Sequence, residues 1–212
     1  SVSEDVRPEW GRACLRGVSA LRGQGLNDQA RRLCQLLRQA ELPSHLHSAA
    51  TRQAMLIQPN NAGPLLEELL ASSDHASFAM ALTVAREMDS SQVTHALIAS
   101  LPTLSMPRQT QVIQVLGDRG DPLARKALAE CASSIDMAIR AAAVRALGRT
   151  GDGSTFPLLL TAARDSEPEM VTAAQHAMVA LQGDGIDHAI NMAMAEADGS
   201  LRCLLINVIG QR

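Results

Sequence analysis

The sequence predicts an all-α protein built as a stack of helix pairs, and three observations carry that prediction. Of its 212 residues only Trp10, Phe78 and Phe156 are aromatic, and there is no Tyr. Sandwiches and barrels fill their sheets with aromatic and β-branched side chains, so this composition argues against an all-β fold. Ala and Leu supply the apolar bulk instead, and both are strong helix formers. Third, a turn motif recurs. Leu116-Gly-Asp-Arg-Gly-Asp121 returns after 31 residues as Leu147-Gly-Arg-Thr-Gly-Asp152 and, shortened, after a further 34 as Leu181-Gln-Gly-Asp184. Such a period marks a repeat array whose units cannot bury their own apolar faces and must stack.

Taken in order, Glu9–Leu21 reads as a helix whose stripe of Trp10, Cys14, Val18 and Leu21 suits covering the open end of a stack. Asn27–Glu41 and Pro43–Leu56 form a degenerate first unit. The pairs that follow are 61–72 with 74–88, 91–101 with 105–116, 122–132 with 135–148, 154–165 with 168–182, and 186–198 with 200–210. Residues 1–42 are accordingly assigned to atypical N-terminal capping helices and 43–212 to one continuous array. Turn chemistry supplies the ends. Gly after the last apolar residue suits a left-handed cap, which a Cβ would obstruct. Asp121 before Pro122 reads as an N-cap followed by Pro at the first helical position, where no amide donor is needed. Ser105 before Pro107 and Ser166 before Pro168 open second helices in a similar way.

Ile139-Arg-Ala-Ala-Ala-Val-Arg-Ala-Leu-Gly-Arg-Thr-Gly-Asp152 resembles a HEAT repeat of the short bacterial kind, also found in phycobilin lyases. The resemblance is close over 104–165, fair over 166–212, looser over 43–103 and absent from 1–26. It implies a right-handed α-α superhelix of the HEAT/armadillo solenoid type, with about five to six helix pairs. It also implies that the second helix of each pair lines a concave, ligand-binding face. Arg140 is replaced by Gln109 and Ala174 in the flanking units, so no ladder of charge is expected at that position.

On the second helix the apolar stripe is Ile139, Ala142, Ala143, Ala146 and Leu147, at helical spacing. Shifting by one repeat generates columns. Ala79, Thr110, Ala141, Gln175 and Cys203 form one, and Thr83, Gln114, Arg145, Val179 and Asn207 another; both are small and mostly neutral. A third, Leu82, Ile113, Val144, Met178 and Ile206, is apolar throughout and reads as packing between repeats. Gln114, Arg145, Gln175 and Asn207 are therefore the candidate rim residues for hydrogen bonds to a partner.

Chemistry finds little support. The formal net charge is −3, from 19 basic and 22 acidic residues, and Lys126 is the only Lys. Nucleic acids call for a basic surface, and single strands for aromatic stacking, so neither nucleic-acid binding nor a HEAT-type DNA glycosylase fits. No His precedes a Glu, which removes the HExxH signature and the His–Glu pairs by which HEAT-like deoxyhypusine hydroxylases hold iron. His45 and His47 stand on different sides of a helix. Cys14, Cys34, Cys131 and Cys203 form no CxxC and sit among apolar residues, as buried thiols do. A Cys14–Cys34 bridge is the alternative in an oxidising compartment. No run approaches the length of a membrane span. Arg119-Gly120-Asp121 is a turn between helices rather than an adhesion signal. Hence no catalytic residue, metal ligand or cofactor is expected; no targeting signal fixes the compartment, with a cytoplasmic location favoured slightly over an extracytoplasmic one.

These observations favour a protein–protein interaction scaffold without intrinsic catalysis, whose partner is a protein or peptide. Alternatives are a chromophore lyase or chaperone-like protein of the phycobilin lyase type, implied by the resemblance, or a HEAT module of a larger multidomain bacterial enzyme. Tetrapyrrole propionates would require clustered basic residues, and the columns offer Arg145 alone. Self-association through 200–210 is a further expectation, because Leu204, Leu205, Ile206, Val208 and Ile209 have no following repeat to cover them.

Overall fold

A computed structural model describes residues 7–212; among these residues there are thirteen α-helices, four short 3-10 turns and no strand. The chain divides into two compact units, Ser1–Ser100 and Leu101–Arg212. The division falls inside 43–212, the stretch that composition reads as one array. Pro102 sits in the 3-10 turn Leu101–Thr103 that follows there, and its missing N–H interrupts regular helix. Of the expected capping segment 1–42, residues 1–6 lie outside the described residues.

The first unit contains α1 (Arg7–Gly23), α2 (Asn27–Gln39), α3 (Ser44–Ile57), α4 (Ala62–Ala71), α5 (His75–Glu87) and α6 (Ser91–Ser100). α3 packs between α1 and α5, while α2 lies against α1 and α3, and α4 against α3, α5 and α6. Val18, Ala30, Cys34, Leu37 and Ala50 form a fully buried cluster, with Trp10, Cys14 and Leu21 packed partly against it. The apolar stripe expected for the first helix is therefore the one that packs. Cys14 and Cys34 share this cluster as free thiols. Burial pushes the Cys34 thiol up to about 11, against a smaller opposing pull from Arg38. At the start of α5, the Asp74 carboxylate accepts from the Ser77 amide at 2.9 Å, satisfying a donor that the helix itself leaves open.

The second unit contains α7 (Met106–Arg119), α8 (Arg125–Cys131), α9 (Met137–Thr150), α10 (Phe156–Ala162), α11 (Pro168–Ala180), α12 (Ile186–Glu196) and α13 (Gly199–Gln211). α7, α9, α11 and α13 form a row in which each packs on the next. α8, α10 and α12 flank their own partners α9, α11 and α13. The first helices at 122–132 and 154–165 are shorter than the spacing predicts. Each opens with a 3-10 turn, Pro122–Ala124 or Gly153–Thr155, capped by Asp121 on the Leu123 amide or Asp152 on the Ser154 amide. Second helices take their caps from Asp136, on the Ile139 amide, and from Asp198, on the Leu201 amide, both at 3.0 Å. Ser105 precedes α7 without a side-chain cap bond, and the residue before α11 is Glu167 rather than Ser166.

In the two full-length turn motifs the first glycine is not a cap. Gly117 and Gly148 lie inside α7 and α9, where neighbouring helices approach too closely for a side chain. A Cβ on Gly117 would stand 2.8 Å from the Cβ of Ala146; one on Gly148 would stand 2.5 Å from the Cα of Ala177. In the first motif the left-handed cap is the second glycine, Gly120, with φ 64°, whereas its counterpart Gly151 is extended, with φ −79°.

Register position 140 has a structural role. Arg140 donates to the carbonyls of Ser134 and Ile135 at 3.0 and 3.1 Å, Gln109 to that of Leu104 at 2.9 Å, and Arg202 to that of Ala197 at 2.9 Å. Each side chain ties a second helix to the loop before it. An amide does this as well as a guanidinium, which explains why the charge is not repeated. Arg212 performs another closure, donating to the carbonyls of Met178 and Leu181 at 2.7 Å each and pairing with Asp187. A cation is favourable at that C-terminal end of α11.

Candidate functional site

α7, α9 and α11 present a groove of about 300 Å³ on one face of the second unit. Its floor is small because the helices touch there: Gly117, Ala142, Ala146 and Ala180 line it. Polar side chains stand around this floor, Gln114 and Asp118 from α7, Arg145 and Arg149 from α9, and His176 from α11. One helical turn separates the two arginines, so both project from the same face. Arg149 donates to Asp118 across the groove at 3.0 Å. Arg145 holds Glu169 only loosely, at 3.7 Å. Their side chains are 60 % and 40 % exposed, so both guanidinium groups keep donors open to an incoming ligand.

Of the four candidate rim residues, the groove gathers Gln114 and Arg145. Gln175 is half-buried on α11 and Asn207 exposed on α13, and neither lines it. Ile113, Val144 and Met178 of the apolar column are buried, as packing requires, and Leu82 is buried in the first unit. Ile206 departs from its column at 54 % exposure. Ala141, in the column of small and mostly neutral residues, is fully buried, because α9 is covered by α7 and α11 on two sides.

Sequence reasoning missed Arg149 and His176. Ending the helix at 148 put Arg149 in a turn, whereas α9 continues to Thr150 and brings it onto the groove face. His176 shares a register with Ala142, a position assigned to the buried stripe, yet His176 is exposed. The i, i+4 spacing of Arg145 and Arg149 was the available signal.

The first unit has a groove of its own on α1, α3 and α5, about 570 Å³, with Arg16, Arg52, Gln53, Met80, Thr83 and Glu87 among its lining. Arg52 bridges it to Glu87 at 2.6 Å. Among the described residues, no three His, Cys, Asp or Glu side chains come together as a metal-ligand set, and no helix is long and apolar enough to cross a membrane.

Rows of second helices in glycine-mediated contact, each flanked by a shorter first helix, define an α-solenoid of helix-pair repeats. Residues 106–179 match the family model for HEAT repeats. A chain from the complex of CpcE and CpcF of phycocyanin lyase from Nostoc is similar over 69 % of this chain and 97 % of its own, at 18 % identity and TM-score 0.51. An engineered protein is similar over 100 % of this chain and 65 % of its own, at 15 % identity and TM-score 0.53. At such identities the likeness is one of fold. No curated protein matches the sequence.

Proposed function

We propose that the chain is a HEAT-repeat scaffold that holds a segment of a partner protein in the α7–α9–α11 groove and catalyses no reaction itself. The observation that carries this reading is the composition of the groove. A floor of Gly and Ala leaves room for partner side chains, and Gln114, Arg145, Arg149 and His176 supply hydrogen-bonding groups above it. Guanidinium donors match carboxylates and backbone carbonyls, so the partner segment is acidic or exposes carbonyls. The lining contains no Ser, Cys or Lys nucleophile. A complex of two proteins among the structural neighbours supports a protein partner.

A second reading, lyase-like handling of a tetrapyrrole, gains from one observation. Arg145 and Arg149 stand together, with His176 beside them, where the sequence offered Arg145 alone, and clustered basic residues are what propionates require. One experiment separates the two. The parent and an Arg145→Ala/Arg149→Ala variant are titrated with acidic and neutral peptides, and with a linear tetrapyrrole followed by its visible absorbance. The scaffold reading expects acidic peptides to bind, with affinity falling at least about tenfold in the variant and with added salt. Tetrapyrrole binding at the groove without peptide binding would replace it by the lyase-like reading. Peptide affinity indifferent to both arginines would remove the groove from the account.

A further inference from the structure

The two arginines of the α7–α9–α11 groove are not equally committed. Arg149 donates to Asp118 at 3.0 Å. Asp118 belongs to the last turn of α7, the negative end of the helix, where a carboxylate gains most from a cation beside it. Drawing Arg149 away would deprive Asp118 of that cation. Arg145 stands 3.7 Å from Glu169, close enough for attraction and too far for a hydrogen bond. Among the described residues neither of these two side chains makes a hydrogen bond. Glu169 lies in the first turn of α11, whose positive end favours an acid with or without Arg145. Its side chain is 57 % exposed. Glu169 precedes His176 by seven residues, two helical turns, so both belong to the face of α11 that borders the groove.

We propose, resting on the reading of this groove as the seat of an acidic partner segment, that Glu169 is a built-in competitor for that segment at Arg145. The partner's carboxylate binds by exchange with it. A guanidinium can give a carboxylate two parallel hydrogen bonds, and Glu169 at 3.7 Å uses neither. An incoming carboxylate gains what Glu169 leaves unmade. Glu169, once released, remains in water at the favourable end of α11, so its departure forfeits one exposed ion pair and nothing more. Arg149 stays with Asp118 and serves as a fixed wall of the groove. Glu169 thereby sets specificity: a neutral segment brings no charge with which to displace it, whereas an acidic one does. An exposed ion pair of this kind corresponds to a factor of about two to five in affinity.

Calorimetric titration of the whole chain tests this, with a blocked peptide of alternating Glu and Gly as the probe and its Gln counterpart as the neutral control. Glu169→Gln should bind the Glu peptide about two- to fivefold more tightly than the parent and leave the Gln peptide unchanged. Because Glu169 is exposed, the variant should keep the parent's helical signal and melt within about 3 °C of it. Glu167→Gln removes the same charge just before the same helix and should gain much less, since only a charge next to Arg145 escapes screening at physiological salt. In an Arg145→Ala background Glu169→Gln should gain nothing, whereas in Arg149→Ala its gain should persist. Equal affinity of the parent and Glu169→Gln for the Glu peptide would overturn the competitor and leave the groove's reading intact. A gain matched by Glu167→Gln, or one that survives Arg145→Ala, would overturn it too, as an effect of net charge. Binding of the Glu peptide by neither protein would remove the acidic-partner reading and the competitor together.

Discussion

Gly148→Ala sets two physical effects of opposite sign against each other. Alanine is the better residue for a helix interior by about 1 kcal/mol, so propensity alone stabilises. The contact with α11 opposes this. The new Cβ would stand 2.5 Å from the Cα of Ala177, 2.7 Å from its carbonyl oxygen and 3.0 Å from its carbonyl carbon. All three are backbone atoms of a packed helix, so no side chain can turn aside. Restoring ordinary separation moves α9 and α11 apart by about 1 Å, which forfeits a quarter to a half of the dispersion attraction along the seam. Overpacking of this kind costs about 1–3 kcal/mol, and a backbone clash belongs at the upper end. The net is a loss of about 2 kcal/mol, or roughly 8 °C in the midpoint of a thermal melt for a unit of this size. Gly17→Ala is the control. It lies within α1, and its Cβ would meet only Leu33 Cδ2 at 3.5 Å, an ordinary contact, so propensity should raise stability by about 0.5–1 kcal/mol. Melts and denaturant titrations followed by helical ellipticity measure both. A Gly148→Ala protein as stable as the parent would refute the close approach of α9 and α11.

Val144 is 1 % exposed, so Val144→Asp buries an unpaired carboxyl and forfeits apolar burial, at a combined cost of about 4–6 kcal/mol; a melt within a degree or two of the parent would show this column to be open surface. Asp74, Asp152 and Asp198 are held below the usual carboxylate range, Asp74 and Asp152 chiefly by the Ser77 and Ser154 hydroxyls and Asp198 chiefly by the Leu201 amide. Their contribution is therefore complete above about pH 4 and fades as pH falls through the lower folded values, so helicity should hold from neutral pH to about pH 4 and fall below it. Helix loss centred above pH 5 would contradict that ordering, and Asn at the three positions should flatten the acid limb. Thiol labelling should modify exposed Cys203 first and Cys34 last, because burial keeps the Cys34 thiol protonated; Cys34 reacting as fast as Cys203 in folded protein would contradict the packing of α1, α2 and α3.

The helix pairs were legible because their turns are chemically explicit: Asp121 and Asp152 cap where the motif places them. What the turns concealed was the double use of glycine. Gly117 and Gly120 stand three residues apart in one motif, yet the first serves a helix contact and the second a left-handed cap. A sequence read by local chemistry assigns both to the turn, since only the neighbouring helix distinguishes them. The same misplaced end removed Arg149 from the groove. Column arithmetic located buried Val144 and Met178 correctly because packing repeats with the helices. Gln175 and Asn207 do not line the groove with Gln114 and Arg145, since sharing a register does not by itself put residues on one groove. At 200–210 the apolar run proved mostly inward-facing, with Leu204, Leu205 and Val208 buried and Ile206 left outside.

The polar bridges between helices have a consequence for how the chain folds. Arg149 reaches back 31 residues to Asp118, Arg125 reaches forward 27 to Asp152, and Arg52 spans 35 to Glu87. Each closes a loop of about one repeat, as does the contact between each second helix and the next. Loop-closure entropy is thus incurred in similar small instalments, and the low contact order favours rapid folding. Any adjacent pair of repeats in the second unit can serve as a nucleus, with the others adding to its ends. Pulled from its termini or exposed to mild denaturant, that unit should come apart repeat by repeat, with partly folded species populated along the way. Duplicating or deleting one helix pair would alter its length without rewiring any contact beyond the next repeat.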